Sequence, residues 1–364
     1  MNIGISPLYG IGDTLLFTPA LRVLKETYPD YNITVFTFFP TTRDVLLNNP
    51  YIDDIVYFPM LKKSKIETFM FIRKYIRKFD VVINFYPSNR REYNLFALML
   101  FPKKIIGHKY IKNSPLNFNF LKSWQIKEDY SLHVVEENIN LLRFFNITSP
   151  KIYPLQLFLT QEELHFGSEY IAPYKDAFKV GIHPGTSSFK NHDKRRWPLE
   201  HFVKLCKMLK EFDKNAVIFI FGGPEERPLK EFIHKNLKNS TKSVIVDTKN
   251  IRETASIMKY MDAFISNDSG LMHLASALRL PVVGIFGPTN PTWVSPWKTP
   301  HRIARLNLPC SPCFYYSPKP LTCPMGLNFK CLKELKPEIV YDTFWSLMKE
   351  IKKGEITLKT QKKT

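Results

Sequence analysis

Apolar residues recur along this chain in two rhythms. Short β-branched and aromatic runs of strand length lie at "NIGIS", "NITVFTF", "DIVYF", "DVVINFY" and "KKIIGH", with segments of helical period such as "PALRVLKETY" between them. That alternation predicts a parallel sheet wrapped by helices. After "NITSPKIYPLQLFLT", rich in proline and turn residues, it starts again with "KVGIHPG", "NAVIFIFGG", "SVIVD", "DAFISND" and "PVVGIFG". Two α/β domains are expected, over 1–160 and 175–335, joined near residues 148–176. A C-terminal helix follows over 336–354, and the polar Lys- and Thr-rich tail at 355–364 reads as disordered. Ligands of doubly wound sheets bind outside the carboxyl ends of the strands, so candidate chemistry is sought in the loops there.

Composition narrows the class. The chain has 364 residues, of which 44% are apolar, enough for two cores. No run approaches the roughly 20 apolar residues of a membrane span, and the N-terminus lacks the charged and apolar regions of a signal peptide, so a cytoplasmic protein is expected. Lys and Arg outnumber Asp and Glu by 52 to 33, a formal +19, which points to an anionic partner. Nucleic acid is the less suitable one, because no aromatic-basic motif of the known RNA or DNA modules is present.

The first loop, "YGIGDTLLF", follows the first strand-like run and opens a helix. Gly10 and Gly12 fit a dinucleotide fingerprint, but Leu15 stands where its third glycine belongs, which also disfavours a nucleotide-dependent oxidoreductase. Asp13 has two readings. It is a helix N-cap, or it is a general base on a glycine-lined acceptor loop. A phosphate beside it would be repelled, so an anion site belongs elsewhere.

The second half supplies one. "HPGTSSFKNHDKRRWPLEHF" joins a strand end to a helix beginning near Pro198. Thr186 and Ser187 offer hydroxyls, and Lys194 and Arg195 offer charge, the parts of a diphosphate clamp or of a solvated basic loop. In "FISNDSGLMHLASALRLPVVGIFGP", Asp268 and Ser269 read as N-cap residues of a helix from Gly270 to Leu280, whose first-turn amides are open to a ligand oxygen. His273 lies one turn in, as a ligand contact or a core histidine. Glu225 and Glu226 in "FGGPEE" suit ribose hydroxyls or a solvated helix start. Cys310, Cys313, Cys323 and Cys331 supply four thiols within 22 residues, for structural packing or, secondarily, a structural zinc.

Taken together, "GIGDTLLFTPALRVLKETYP", "HPGT…KRRWPLEHF", "FGGPEE", "NDSGLMHLASALRLPVVGIFGPTNP" and "CSPC…CP…C" resemble, in order, the heptosyltransferase-like glycosyltransferases of family 9. The resemblance implies a GT-B fold, two Rossmann-like doubly wound domains facing across a cleft, with acceptor bound by the first and nucleotide-sugar by the second. It implies an inverting transfer of heptose from ADP-heptose to a lipopolysaccharide inner-core acceptor, with no metal and no cofactor. By position Asp13 matches the family's base, and Gly10 and Gly12 lie on the acceptor-side loop. Thr186, Ser187, Lys194, Arg195, Ser269 and Gly270 match the diphosphate contacts, and Glu225 or Glu226, Asp268 and His273 the sugar or nucleotide contacts. Arg195 stands where the family more often has Lys. Competing readings are a family member using another nucleotide-sugar for a different surface glycan, and a non-catalytic nucleotide-sugar or glycan binder.

Much of the basic surplus remains unused by such a site. "LKKSKIETFMFIRKYIRKF", residues 61–79, mixes cations and aromatics over a helix's length. It reads as a solvated helix face or as a peripheral contact with an anionic membrane, on the cytoplasmic face of the inner membrane, where a phosphorylated glycolipid acceptor would lie.

Overall fold

The computed structural model describes residues 1–112, 114–316 and 319–354; the tail expected at 355–364 lies outside them. The chain divides into two compact units, the first built on Met1–Phe158 and the second on Leu159–Tyr315 with the chain from Lys319 on.

In the first unit six parallel strands, β1 (Asn2–Ile5), β2 (Asn32–Thr37), β3 (Asp54–Tyr57), β4 (Val81–Asn84), β5 (Lys104–Lys109) and β6 (Trp124–Lys127), stand in the order β3-β2-β1-β4-β5-β6. The chain winds outward from β1 to β3, then returns to place β4 beside β1, with Ile3 opposite Val81. Phe36, Phe79, Val82, Phe96, Leu100 and Ile105 are buried together on one face of this sheet. The helix after β1 runs from Ile11 to Thr27 with Pro19 inside it. Proline leaves the carbonyl of Leu15 without its helical donor, and the Thr18 hydroxyl donates to that carbonyl at 2.7 Å, so the helix continues.

The second unit repeats the plan with β7 (Phe178–His183), β8 (Ala216–Ile220), β9 (Ser243–Ile245), β10 (Ala263–Asn267), β11 (Val282–Ile285) and β12 (His301–Ala304), ordered β12-β11-β10-β7-β8-β9 and all parallel. Its core packs Ile182, Ile218 and Ile265 of the sheet against Phe202 and Leu205 of the helix Leu199–Phe212. The helix Pro337–Lys352 adds Val340, Phe344 and Leu347 to that same core.

Three elements differ from their sequence reading. Pro198 is the N-cap of the helix Leu199–Phe212 rather than a residue of its first turn. The helix expected from Gly270 to Leu280 ends at Ala277. Within 61–79 only Lys65–Arg73 forms an α-helix, started by a capping box between Ser64 and Glu67, and Arg77 has a left-handed backbone that ends any continuation. Among the described residues no helix is long and apolar enough to cross a membrane.

Candidate functional site

In a doubly wound sheet the loops diverge where winding reverses, and a crevice opens at the carboxyl ends of the two strands there. That point is β1/β4 in the first unit and β7/β10 in the second.

At β1/β4, Gly10 is the N-cap of the helix Ile11–Thr27 and Asp13 is its third residue. Asp13 is therefore not the N-cap, one of its two sequence readings. It is half-buried in the first turn, where the positive end of the helix favours a carboxylate. Gly10 has an ordinary extended backbone, and a Cβ there would lie 2.7 Å from Asp13 Oδ2, so the absence of a side chain leaves that carboxylate its place. Gly12 is buried within the helix. Sequence reasoning missed the aromatic surround. The Tyr9 ring lies 5.5 Å from Phe39 and from Tyr93 and 6.5 Å from Phe38, measured between centroids. Burial, then the negative charge of Asp13, pushes the Tyr93 phenol well above its ordinary value, so Tyr93 stays a neutral hydroxyl. Tyr93 comes from the helix Arg91–Met99, and no spacing rule ties it to Asp13. A half-exposed carboxylate beside neutral phenols is suited to accepting a proton from a hydroxyl.

At β7/β10 the groups are bonded to one another. His183, the last residue of β7, joins Ser269 Oγ through Nδ1 at 2.9 Å and Glu226 Oε2 through Nε2 at 3.0 Å. Glu226 also accepts the Gly223 N–H at 2.9 Å. Burial raises the Glu226 carboxyl, but His183, the Gly223 N–H and Arg196 outweigh it and hold the group below its ordinary value. A Cβ at Gly185 would sit 1.7 Å from Glu226 Oε1, so a side chain there would push this carboxylate off its hydrogen bonds to His183 and Gly223. Of the two expected ribose carboxylates, Glu226 is thus committed inside the fold and Glu225 is exposed.

Arg195 Nη1 donates to Asp268 Oδ2 at 2.7 Å, and both side chains are largely buried. Two residues expected to reach different parts of a ligand therefore hold each other here. Lys194 and Ser187 are exposed; Thr186 is buried, with its hydroxyl given to the His192 carbonyl at 2.9 Å. The backbone N–H of Phe189 donates to Ser187 Oγ at 3.2 Å. Asn267, not foreseen, ties the two loops: its Oδ1 accepts the Trp197 N–H at 3.1 Å and its Nδ2 donates to the Pro184 carbonyl at 2.7 Å.

Ser269 is the N-cap of the helix Gly270–Ala277, but its hydroxyl is turned to His183 and Ser266 and does not cap the helix. Asp268 lies one residue before it and is not the cap. His273 is buried, and desolvation drops its pKa from 6.5 to about 4, with Asp268 opposing the drop and Arg195 adding to it. The ring is neutral at pH 7. Three buried nitrogens in this region, Arg195 Nε, Arg196 Nε and His273 Nδ1, have no hydrogen-bond partner among the described residues. Buried polar nitrogens are rarely left so, and the two guanidinium N–H donors together with an uncapped helix end suit ligand oxygens.

Cys310, Cys313, Cys323 and Cys331 line one cavity of about 20 Å³ and are unbridged, as is the buried Cys206. Among the described residues no group of three or more His, Cys, Asp or Glu side chains is placed to hold a metal ion.

Known proteins resemble this chain in sequence and in fold. Lipooligosaccharide heptosyltransferase 2 of Campylobacter jejuni is 27% identical over 357 residues, covering 93% of this chain and 96% of the relative. The structure of Escherichia coli ADP-heptose lipopolysaccharide heptosyltransferase II superposes with a TM-score of 0.73 at 19% identity, over 97% of this chain and 100% of the other. An E. coli heptosyltransferase solved with ADP gives 0.68 at 16% identity, over 95% and 100%. These solved chains share the GT-B fold of two parallel doubly wound sheets. The model of glycosyltransferase family 9 (heptosyltransferase) matches residues 71–321 of the 364. With most of the sequence so matched, the chain belongs to glycosyltransferase family 9 and is a glycosyltransferase.

Proposed function

We propose that this enzyme transfers a heptose from ADP-heptose to the inner core of a lipopolysaccharide acceptor, with inversion and without a metal ion. The observation that carries the donor half is the set of unpartnered buried nitrogens, Arg195 Nε, Arg196 Nε and His273 Nδ1, beside an uncapped helix end at β7/β10. Guanidinium N–H groups and helix amides suit diphosphate oxygens, and a neutral buried imidazole suits a sugar or phosphate oxygen without adding charge. Lys194 and Ser187, exposed on the same loop, complete the diphosphate contacts, and Glu225 takes the ribose hydroxyls. The relatives bearing the name heptosyltransferase, and the one solved with ADP, support heptose and ADP as the donor's parts.

In the first unit Asp13 accepts the proton of the acceptor hydroxyl as that oxygen attacks the anomeric carbon. The bond from that carbon to the diphosphate oxygen breaks on the opposite side, and the leaving diphosphate's charge is met by Arg195, Lys194 and the Gly270 helix end. These cations do what a divalent ion does for a diphosphate elsewhere. The acceptor is a phosphorylated glycolipid at the cytoplasmic face of the inner membrane. Purified enzyme, ADP-heptose and a heptose-deficient inner-core acceptor test the reading: mass spectrometry is expected to show the acceptor gaining one heptose, in excess EDTA as well as without it. No gain with ADP-heptose, or loss of transfer in EDTA by a protein that stays folded, overturns the corresponding part.

A further inference from the structure

The first unit exposes large apolar side chains in one region. On the helix Lys65–Arg73, Ile66 is 76% and Phe69 62% exposed, and Phe101, after the helix Arg91–Met99, is 57% exposed. Leu95, Leu98 and Met99 on the second helix are exposed as well. A groove of about 490 Å³ joins the two helices, with Met60, Phe69, Ile72, Ile76, Met99 and Phe101 among its walls and Lys63 and Lys65 at its border. Exposed apolar surface gathered on this scale marks an interaction site.

Charge says which partner fits. Residues 61–78 carry seven cations, Lys62, Lys63, Lys65, Arg73, Lys74, Arg77 and Lys78, against the single carboxylate of Glu67, which is taken by Lys63. A second copy of the chain would bring the same cations face to face, because a two-fold interface pairs a patch with itself. An anionic lipid surface meets both halves of the pattern: phosphate headgroups attract the cations, and the boundary with the acyl chains takes Ile66, Phe69 and Phe101.

We infer that this face docks the enzyme on an anionic bilayer, with the side chains of the Lys65–Arg73 helix and Phe101 inserted at the headgroup boundary. The helix Arg91–Met99 carries Met99 in the wall of this groove and Tyr93 beside Asp13. Docking here therefore fixes the Asp13 loop relative to the lipid surface, the direction from which a lipid-anchored sugar arrives. That last link rests on the heptosyltransferase reading; the docking itself does not.

The test is co-sedimentation with phosphatidylglycerol vesicles and with phosphatidylcholine vesicles, at low and high salt, in the absence of any sugar donor or acceptor. The full chain is expected to bind the anionic vesicles at low salt, release in high salt and bind phosphatidylcholine about tenfold or more weakly. The double variant Ile66→Asp, Phe69→Asp is expected to lose about tenfold or more in binding with unchanged circular dichroism and melting temperature, since both side chains are exposed. Arg73→Glu with Lys74→Glu should lose a similar factor by charge alone, and both variants should keep wild-type turnover on a water-soluble core oligosaccharide. Equal binding to both vesicle types, binding to neither, or a dimer dissociated by the apolar variant while vesicle binding persists would overturn the proposal. So would loss of turnover on the soluble acceptor, which would make the face part of the acceptor site. Failure of the transferase reading would leave the vesicle result untouched.

Discussion

The β1/β4 and β7/β10 switch points have the same topology and hold their charges in different ways. At β1/β4 one carboxylate, Asp13, sits among Tyr9, Phe38, Phe39 and Tyr93, and the phenol of Tyr93 remains neutral. At β7/β10 the groups are cross-linked, Arg195 to Asp268 by an ion pair and His183 to Glu226 by a hydrogen bond. Apolar rings and a neutral phenol add no charge of their own beside that carboxylate. An anion receptacle gains from donors already fixed in place before the ligand arrives, because little reorganisation is then needed as charge develops. One winding pattern thus gathers aromatic rings around a carboxylate in one unit and cross-linked polar groups in the other.

The largest expected effect breaks the first half of this contrast. Asp13→Asn keeps the shape and removes the basicity, so turnover should fall by about 10² or more while affinity for ADP stays close to wild type. Rapid-quench kinetics with parallel calorimetry checks it; wild-type turnover would leave Asp13 as a first-turn helix residue alone. Next in size is the double variant Lys194→Ala, Arg195→Ala. It should weaken ADP binding by about 10- to 100-fold, in keeping with one or two charge-assisted hydrogen bonds. Calorimetry showing unchanged affinity would move the diphosphate away from β7/β10.

The smallest effect at neutral pH sharpens the second half. His273 is neutral in the fold down to about pH 4, whereas in the unfolded chain it protonates near 6.5. Between those values the unfolded state binds a proton that the folded state refuses, so stability falls as pH falls from 6.5 to 4, by up to about 1.4 kcal/mol per pH unit from this group. Above 6.5 it contributes no slope. Urea unfolding of wild type and His273→Gln across that window should show a shallower acid loss in the variant, and equal slopes would mean that the ring is not held neutral by burial.

Much of the β7/β10 cluster was legible because its residues are close in sequence or fall at strand ends. "NDSG" before a helical run marks Ser269 and Gly270 by composition alone. What the Ser269 hydroxyl does was not legible, since its partner His183 is 86 residues away. For the same reason the Arg195–Asp268 pair, spanning 73 residues, was read as two separate ligand contacts. Glu225 and Glu226 are adjacent and were interchangeable on paper; the side chain that reaches His183 is buried and its neighbour faces solvent. The edge strands β6, "WQIK", and β12, "HRIA", were missed because short, half-polar runs carry little periodicity and are strands only by pairing with β5 and β11.

The sequence by itself determined the elements whose cause is local: buried strands as continuous apolar runs, the restart of the α/β pattern in the second half, and glycines and cap residues at strand ends, where conformational preference acts over a few residues. Only the tertiary structure decided which strand ends become neighbours. The orders β3-β2-β1-β4-β5-β6 and β12-β11-β10-β7-β8-β9 bring Tyr93 to Asp13 and set His183 between Glu226 and Ser269. Such partnerships arise from the pairing of whole strands and the burial of whole faces, which no window of neighbouring residues encodes.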